Sequence, residues 1–171
     1  RIEYGITTIG ARTFYYTSNL NSLTIVGDTV TILKISGIEG CSSLTSLTLP
    51  SSLRTIENYG LYYNTGFTSI IIPESITSIG DHAFMRCSNL NSINIPSGIK
   101  TITNYMFSET GFISFKIPSH IESIGDHSFE SCPQLQSIEI PETVTSIGKN
   151  SFNNCNNLVI ETIPSKISVL S

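Results

Sequence analysis

Tryptophan is absent from this chain, charged residues make up only 13% of it, and long apolar runs are missing. With a net charge of -4 and no basic run, it lacks the electrostatic footprint that nucleic acid or an anionic membrane requires. No apolar run approaches the roughly 20 residues of a transmembrane helix. The opening residues RIEYGITTIG have neither the basic nor the apolar region of a signal peptide. Membrane insertion by this stretch is therefore not expected. Low-complexity tracts and linkers are also missing, so residues 1–171 are expected to form one continuous domain. The chain begins with Arg1, inside a repeat unit, and the expectation is a piece of a longer array.

Proline, though scarce, is periodic. Pro50, Pro73, Pro96, Pro118, Pro141 and Pro164 are spaced by 23, 23, 22, 23 and 23 residues. Each closes a segment such as LTSLTLP, LNSINIP or LQSIEIP, and an earlier copy from Leu20 has Val26 in the proline slot. The stretches SIGDHAFMRCSNLNSINIP and SIGDHSFESCPQLQSIEIP agree at twelve of nineteen positions. In one-letter form the unit is I-x-x-I-G-x-x-x-F-x-x-C-x-x-L-x-S-I-x-I-P, with Phe14, Ile38, Leu61, Phe84, Phe107, Phe129 and Phe152 in the aromatic slot.

Alternation in the L-x-S-I-x-I part predicts one short half-buried strand per unit. Strands recurring at this interval return to the same side of the molecule and must be parallel. The product is a solenoid of about seven units plus a partial eighth opened by Ile167 and Leu170. A parallel sheet covers one face, with short strands, turns or single helical turns on the other. Proline after the strand removes a ladder donor and fixes the corner. Gly10, Gly80, Gly125 and Gly148 are read as supplying a positive φ after the I-x-x-I step.

Cys41, Cys87, Cys132 and Cys155 share one slot. Strands stack about 4.8 Å apart, so cysteines two units apart lie beyond the roughly 7 Å that a disulfide spans. Cys132 and Cys155, in neighbouring units, point the same way. All four are read as buried, reduced, apolar fillers. His82 and His127, each after an Asp and two units apart, do not converge on one ion. They are read as solvated or turn-capping residues, and no metal or other cofactor is expected. With no G-x-S-x-G elbow and no long insertion to build a pocket, catalysis is not expected either.

Recognition is expected where slots vary while the backbone does not. On the strand face, Thr24, Thr48, Ile71, Asn94, Lys116, Glu139 and Thr162 share an outward slot of changing size and charge. Lys116 and Glu139 sit in register to pair. Beside them, Ser22, Ser46, Ser69, Ser92, Ser114 and Ser137 form a hydroxyl ladder. A second candidate surface is the edge holding Tyr15, Tyr16, Tyr62 and Tyr63, since tyrosine is favoured at interfaces.

The L-x-x-L-x-L segments in units of about 23 residues, with I-x-x-I-G-x-x-x-F-x-x-C before them and proline after, resemble the BspA-like class of leucine-rich repeats over Ile6 to Pro164. The resemblance implies a leucine-rich repeat solenoid in a cell-surface or secreted protein, binding extracellular matrix or cell-surface proteins without catalysis. The alternatives are a spacer or stalk without a ligand, and a regular-surface binder of glycan or ice using the serine ladder. Exposed solenoid ends also allow end-to-end pairing of copies. Three departures from the pattern stand out: the 24-residue first interval, a one-residue deletion between Phe107 and Phe112, and Glu161 in a normally apolar strand slot.

Overall fold

The computed structural model describes residues 5–167 and the backbone of 169–170. The expected inward side chain of Leu170 therefore lies outside the described residues. Each of the first six units contributes two short strands, one from the I-x-x-I step and one from the L-x-S-I-x-I segment. The I-x-x-I steps form β1 (Thr8–Ile9), and the L-x-S-I-x-I segment that follows forms β2 (Ser22–Thr24). The alternation continues with β3 (Ile32–Leu33), β4 (Ser46–Thr48), β5 (Thr55–Ile56), β6 (Ser69–Ile70), β7 (Ser78–Ile79) and β8 (Ser92–Ile93). It proceeds through β9 (Thr101–Ile102), β10 (Ser114–Lys116), β11 (Ser123–Ile124), β12 (Ser137–Glu139), β13 (Ser146–Ile147) and β14 (Val169–Leu170).

All pairing is parallel. The first-type strands stack as β1-β3-β5-β7 and β9-β11-β13-β14, and the second-type strands as β2-β4, β6-β8 and β10-β12. The two-residue I-x-x-I strands escape a period-2 reading because so short a segment shows no alternation. In the seventh unit, where Glu161 interrupts the pattern, Val159 forms only an isolated bridge to Ser137. Between the strand types, the carbonyl of each of the six periodic prolines accepts the N–H three residues on, as in Ile76 to Pro73 at 3.0 Å and Ile121 to Pro118 at 3.0 Å. That bond closes the corner leading to the next I-x-x-I step.

No helix occurs among the described residues. The outer stretch is instead a chain of turns carrying two left-handed residues per unit, four apart, such as Tyr59 and Tyr63, His82 and Arg86, and Tyr105 and Glu109. So bent, three alternate N–H groups of each unit donate to carbonyls of the next. Between the fourth and fifth units these are His82 to Asn104, Phe84 to Met106 and Arg86 to Ser108, at 2.9 to 3.1 Å. The ladder satisfies backbone groups that a helix would have satisfied internally, and it holds non-glycine residues at φ of 51° to 63°. That region is sparsely populated unless the surroundings enforce it.

The glycines after the I-x-x-I step do not have positive φ; those are Gly5, Gly27 and Gly40. Gly80, Gly125 and Gly148 serve close approach instead. A Cβ on Gly148 would lie 2.5 Å from Asp126 Oδ1, and one on Gly125 would lie 2.7 Å from Asn104 Oδ1.

Inside, the aromatic slot forms a stack in which Phe107 lies 5.7 Å from Phe84 and 5.5 Å from Phe129, centroid to centroid. Phe112 and Phe115 close around the same ring. Phe84, Phe107 and Phe129 are completely buried, as are Ile38 and Leu61 in the same slot. The cysteines are free and buried as expected, but they are not merely apolar. Each Sγ donates to the aromatic-slot carbonyl of the unit before: Cys41 to Phe14 at 3.0 Å, Cys87 to Leu61 at 3.3 Å, Cys132 to Phe107 at 3.2 Å and Cys155 to Phe129 at 3.0 Å. In the third unit Asn64 takes the slot and its Nδ2 reaches Ile38 O. The position selects a small buried donor.

Candidate functional site

The strand face carries the serine ladder in register: Ser22 beside Ser46, Ser69 beside Ser92, and Ser114 beside Ser137, all exposed. Pairing lapses between β4 and β6 and between β8 and β10, so the ladder is broken into pairs. In the outward slot Thr24, Thr48, Ile71, Asn94, Lys116, Glu139 and Thr162 are all exposed. Three of them are already engaged. Lys116 Nζ meets Glu139 Oε2 at 2.6 Å with both side chains open to solvent, an arrangement worth under about 1 kcal/mol. Asn94 accepts the Ile72 N–H at 2.7 Å and donates to the Ile72 carbonyl at 2.8 Å. Its side chain thus takes the place of the backbone carbonyl that Thr48 offers to Ile25 and Glu139 offers to Ile117, both at 3.0 Å.

Ile71 is different. Its side chain stands 80% exposed, beside a hollow of about 390 Å³ that lies where β4 and β6 fail to pair. The lining includes Ser46, Thr48, Ser69 and Pro73, together with the half-buried Leu47. An aliphatic group this exposed loses its hydration penalty only when another surface covers it.

The tyrosine edge is larger than the four residues expected. Rings follow one another from Tyr15 to Tyr16, across to Tyr63, then to Tyr62 and Tyr59, with centroid separations of 4.7 to 6.1 Å. Gly40 makes the crossing from Tyr16 to Tyr63 feasible, because a Cβ there would meet the Tyr16 ring at 2.9 Å. From Tyr59 the row continues as a parallel stack through His82, Tyr105 and His127, at 4.4, 4.6 and 4.5 Å. Arg12 lies over Tyr15, and Arg86 reaches Tyr62 Oη at 2.9 Å.

His82 and His127 are therefore half-buried members of a stack, not solvated caps. Burial holds the His82 imidazole below its ordinary pKa, with Asp81 opposing the shift, and its Nδ1 has no partner. His127 Nδ1 lies 2.8 Å from Glu130 Oε2. The available signal was the slot itself, which reads Tyr59, His82, Tyr105, His127: four flat rings at the spacing of successive turns.

The Asp before each histidine has its own row. Asn58, Asp81, Asn104 and Asp126 each accept, through Oδ1, the backbone N–H of the following unit's counterpart, at 3.0, 3.1, 2.8 and 2.8 Å. The shared Asp, His, Phe and Cys letters of the twin segments are thus four parallel stacking rows.

The sequence matches the pattern of the BspA type leucine-rich repeat region, in six copies, over residues 7–111 and 59–171. No curated protein matches the chain. A leucine-rich repeat protein from Bacteroides ovatus superposes with a TM-score of 0.70 at 26% identity, over 96% of this chain and 48% of its own. A leucine rich cell surface protein from Faecalibacterium prausnitzii has a TM-score of 0.59 at 27% identity, over 91% of this chain and 51% of its own. The pneumococcal vaccine antigen PcpA, at 16% identity, shares the fold, with a TM-score of 0.64 over 95% of this chain and 57% of its own. The chain spans about half the length of the first two structures. Since the repeat pattern runs through both matched segments and the stacked rows account for its letters, the chain belongs to the BspA-type leucine-rich repeat family.

Proposed function

We propose that the chain is a noncatalytic protein-binding and adhesion module of a cell-surface or secreted protein, holding an extracellular matrix or cell-surface protein on its strand face. The observation that carries this reading is Ile71, 80% exposed beside the hollow between β4 and β6. Thr48, Ser46 and Ser69 supply uncharged polar groups around it, the arrangement of an apolar anchor with a polar rim. The likeness to the F. prausnitzii leucine rich cell surface protein supports the location. The breaks between Ser46 and Ser69 and between Ser92 and Ser114 make a regular glycan-reading or ice-reading ladder the weaker alternative.

The test is capture of proteins from extracellular-matrix extract by the immobilised chain, beside the Ile71→Asp variant after both are shown to be folded. A protein retained by the parent and lost by the variant supports the reading. Equal retention by both, or none by either, contradicts it.

A further inference from the structure

The one-residue deletion in the fifth unit shortens one outer corner. Between Arg86 and Leu90, and between Ser131 and Leu135, the corner uses three residues; between Glu109 and Phe112 it uses only Thr110 and Gly111. The shortened corner tucks inward, with the Gly111 N–H donating to Leu90 O at 3.1 Å. Gly111 also packs so closely on the Ser88 carbonyl that a Cβ there would collide with it. Full-length corners on both sides then flank a recess of about 740 Å³, reaching from Tyr63 in the third unit to Asn154 in the seventh. It is larger than the strand-face hollow of about 540 Å³ around Lys116 and Glu139.

We propose that this recess binds an uncharged oligosaccharide laid along the solenoid axis. The lining is chemically selective. Its hydroxyls and amides include Ser88 and Gln134, with Asn154 Nδ2 donating to Ser131 Oγ at 3.4 Å. The donors and acceptors still open would be cut off from water under an apolar ligand, at a cost in free energy. A ligand rich in hydroxyl groups pairs with them. Charge is cancelled within the site, because Arg86 Nε lies 3.0 and 3.2 Å from the two Glu109 carboxylate oxygens. An anionic ligand would therefore have to displace Glu109.

Periodicity argues in the same direction. The wall repeats with the turns, about 4.8 Å apart, which is roughly one sugar ring. An extended peptide advances about 3.4 Å per residue and presents same-side groups at twice that, out of step with the turns. At one end the half-exposed Tyr63 ring offers an aromatic surface to the apolar face of a sugar. The planar forks of Gln134 and Asn154 can each engage adjacent hydroxyls.

Isothermal titration of the folded chain with cellohexaose, xylohexaose, mannohexaose and maltohexaose tests the proposal. An oligogalacturonate and an extended Gly-Ser peptide serve as acidic and peptide controls. One neutral oligosaccharide is expected to bind, with Gln134→Ala and Asn154→Ala each weakening it about tenfold through a lost hydrogen bond. An Asn inserted after Thr110, restoring the usual corner length, should abolish binding; if that variant does not fold, the two alanine variants decide. Ile71→Ala, on the other face, should leave oligosaccharide binding unchanged, which separates this site from the strand-face reading. The proposal is overturned if no neutral oligosaccharide binds, if the alanine variants bind as well as the parent, or if only the acidic or peptide control binds.

Discussion

Asn104 Oδ1 accepts the Asp126 backbone N–H at 2.8 Å and lies 2.7 Å from where a Cβ on Gly125 would stand. The ladder bond and the glycine thus meet at one crowded corner, where a Cβ would press on Asn104; Asp81 makes the same bond beside Thr103 at 3.1 Å, so the bond itself does not require glycine. Gly125→Ala should destabilise the chain by about 1 to 3 kcal/mol through overpacking. Adding Asn104→Ala should recover part of that loss, a coupling visible in a double-mutant cycle from urea denaturation. Additive losses would mean that Asn104 is not what excludes the side chain.

The central phenylalanine carries more. Phe107 is fully buried against Phe84, Phe112, Phe115 and Phe129, and Phe107→Ala should cost roughly 3 to 5 kcal/mol. Phe14 occupies the same slot in the first unit but is only half-buried, so Phe14→Ala should cost clearly less. Equal losses in chemical denaturation would argue against stability arising from the interfaces between neighbouring units.

The ring stack makes stability depend on pH. Burial holds the folded-state pKa of His82 below its ordinary value of 6.5, so the unfolded chain takes up this proton first as pH falls. The contribution of His82 is complete above about pH 6.5 and is lost as pH falls through the depressed folded value. The parent should lose more stability between pH 7.5 and 5 than His82→Tyr, which keeps a ring in the stack between Tyr59 and Tyr105. Identical pH slopes for the two proteins would remove His82 from the account.

The thiols should be silent until the chain opens. Cys41, Cys87 and Cys132 have no exposed surface, and burial pushes the Cys87 thiol up to about 12. Since the thiolate is the reactive form, a maleimide at pH 7.5 should leave these three unlabelled in the native chain and label all of them in guanidinium chloride, as read by peptide mass spectrometry. Rapid native labelling of Cys87 would contradict its place in the core.

The periodic prolines and the apolar slots were enough to read the solenoid, its parallel sheet and its inward rows, because burial repeats with the period. Where the short strands of the other face fall was not legible: Thr8–Ile9 and its copies are two residues long and show no alternation. The role of Gly125 was misread because glycine serves both positive φ and close approach, and only the position of Asn104 distinguishes them. Cysteine looked apolar because its donation to a carbonyl one unit away leaves no mark on composition. At the candidate site, the exposure of the outward slot was legible from alternation. The engagement of Asn94 with Ile72 was not, since it depends on where ladder pairing lapses. The ring row from Tyr15 to His127 combines two slots of the unit, and the sequence displays them separately.

The most direct test of the binding claim is photo-crosslinking from the strand face. With p-benzoylphenylalanine replacing Ile71, the folded chain is incubated with extracellular-matrix proteins and irradiated, beside a chain carrying the same group in place of Tyr62 on the outer edge. The account predicts a crosslink from position 71 to a discrete matrix protein, suppressed by excess unlabelled parent chain. Crosslinks from position 62 alone, or none from position 71 while the chain still binds, would contradict it.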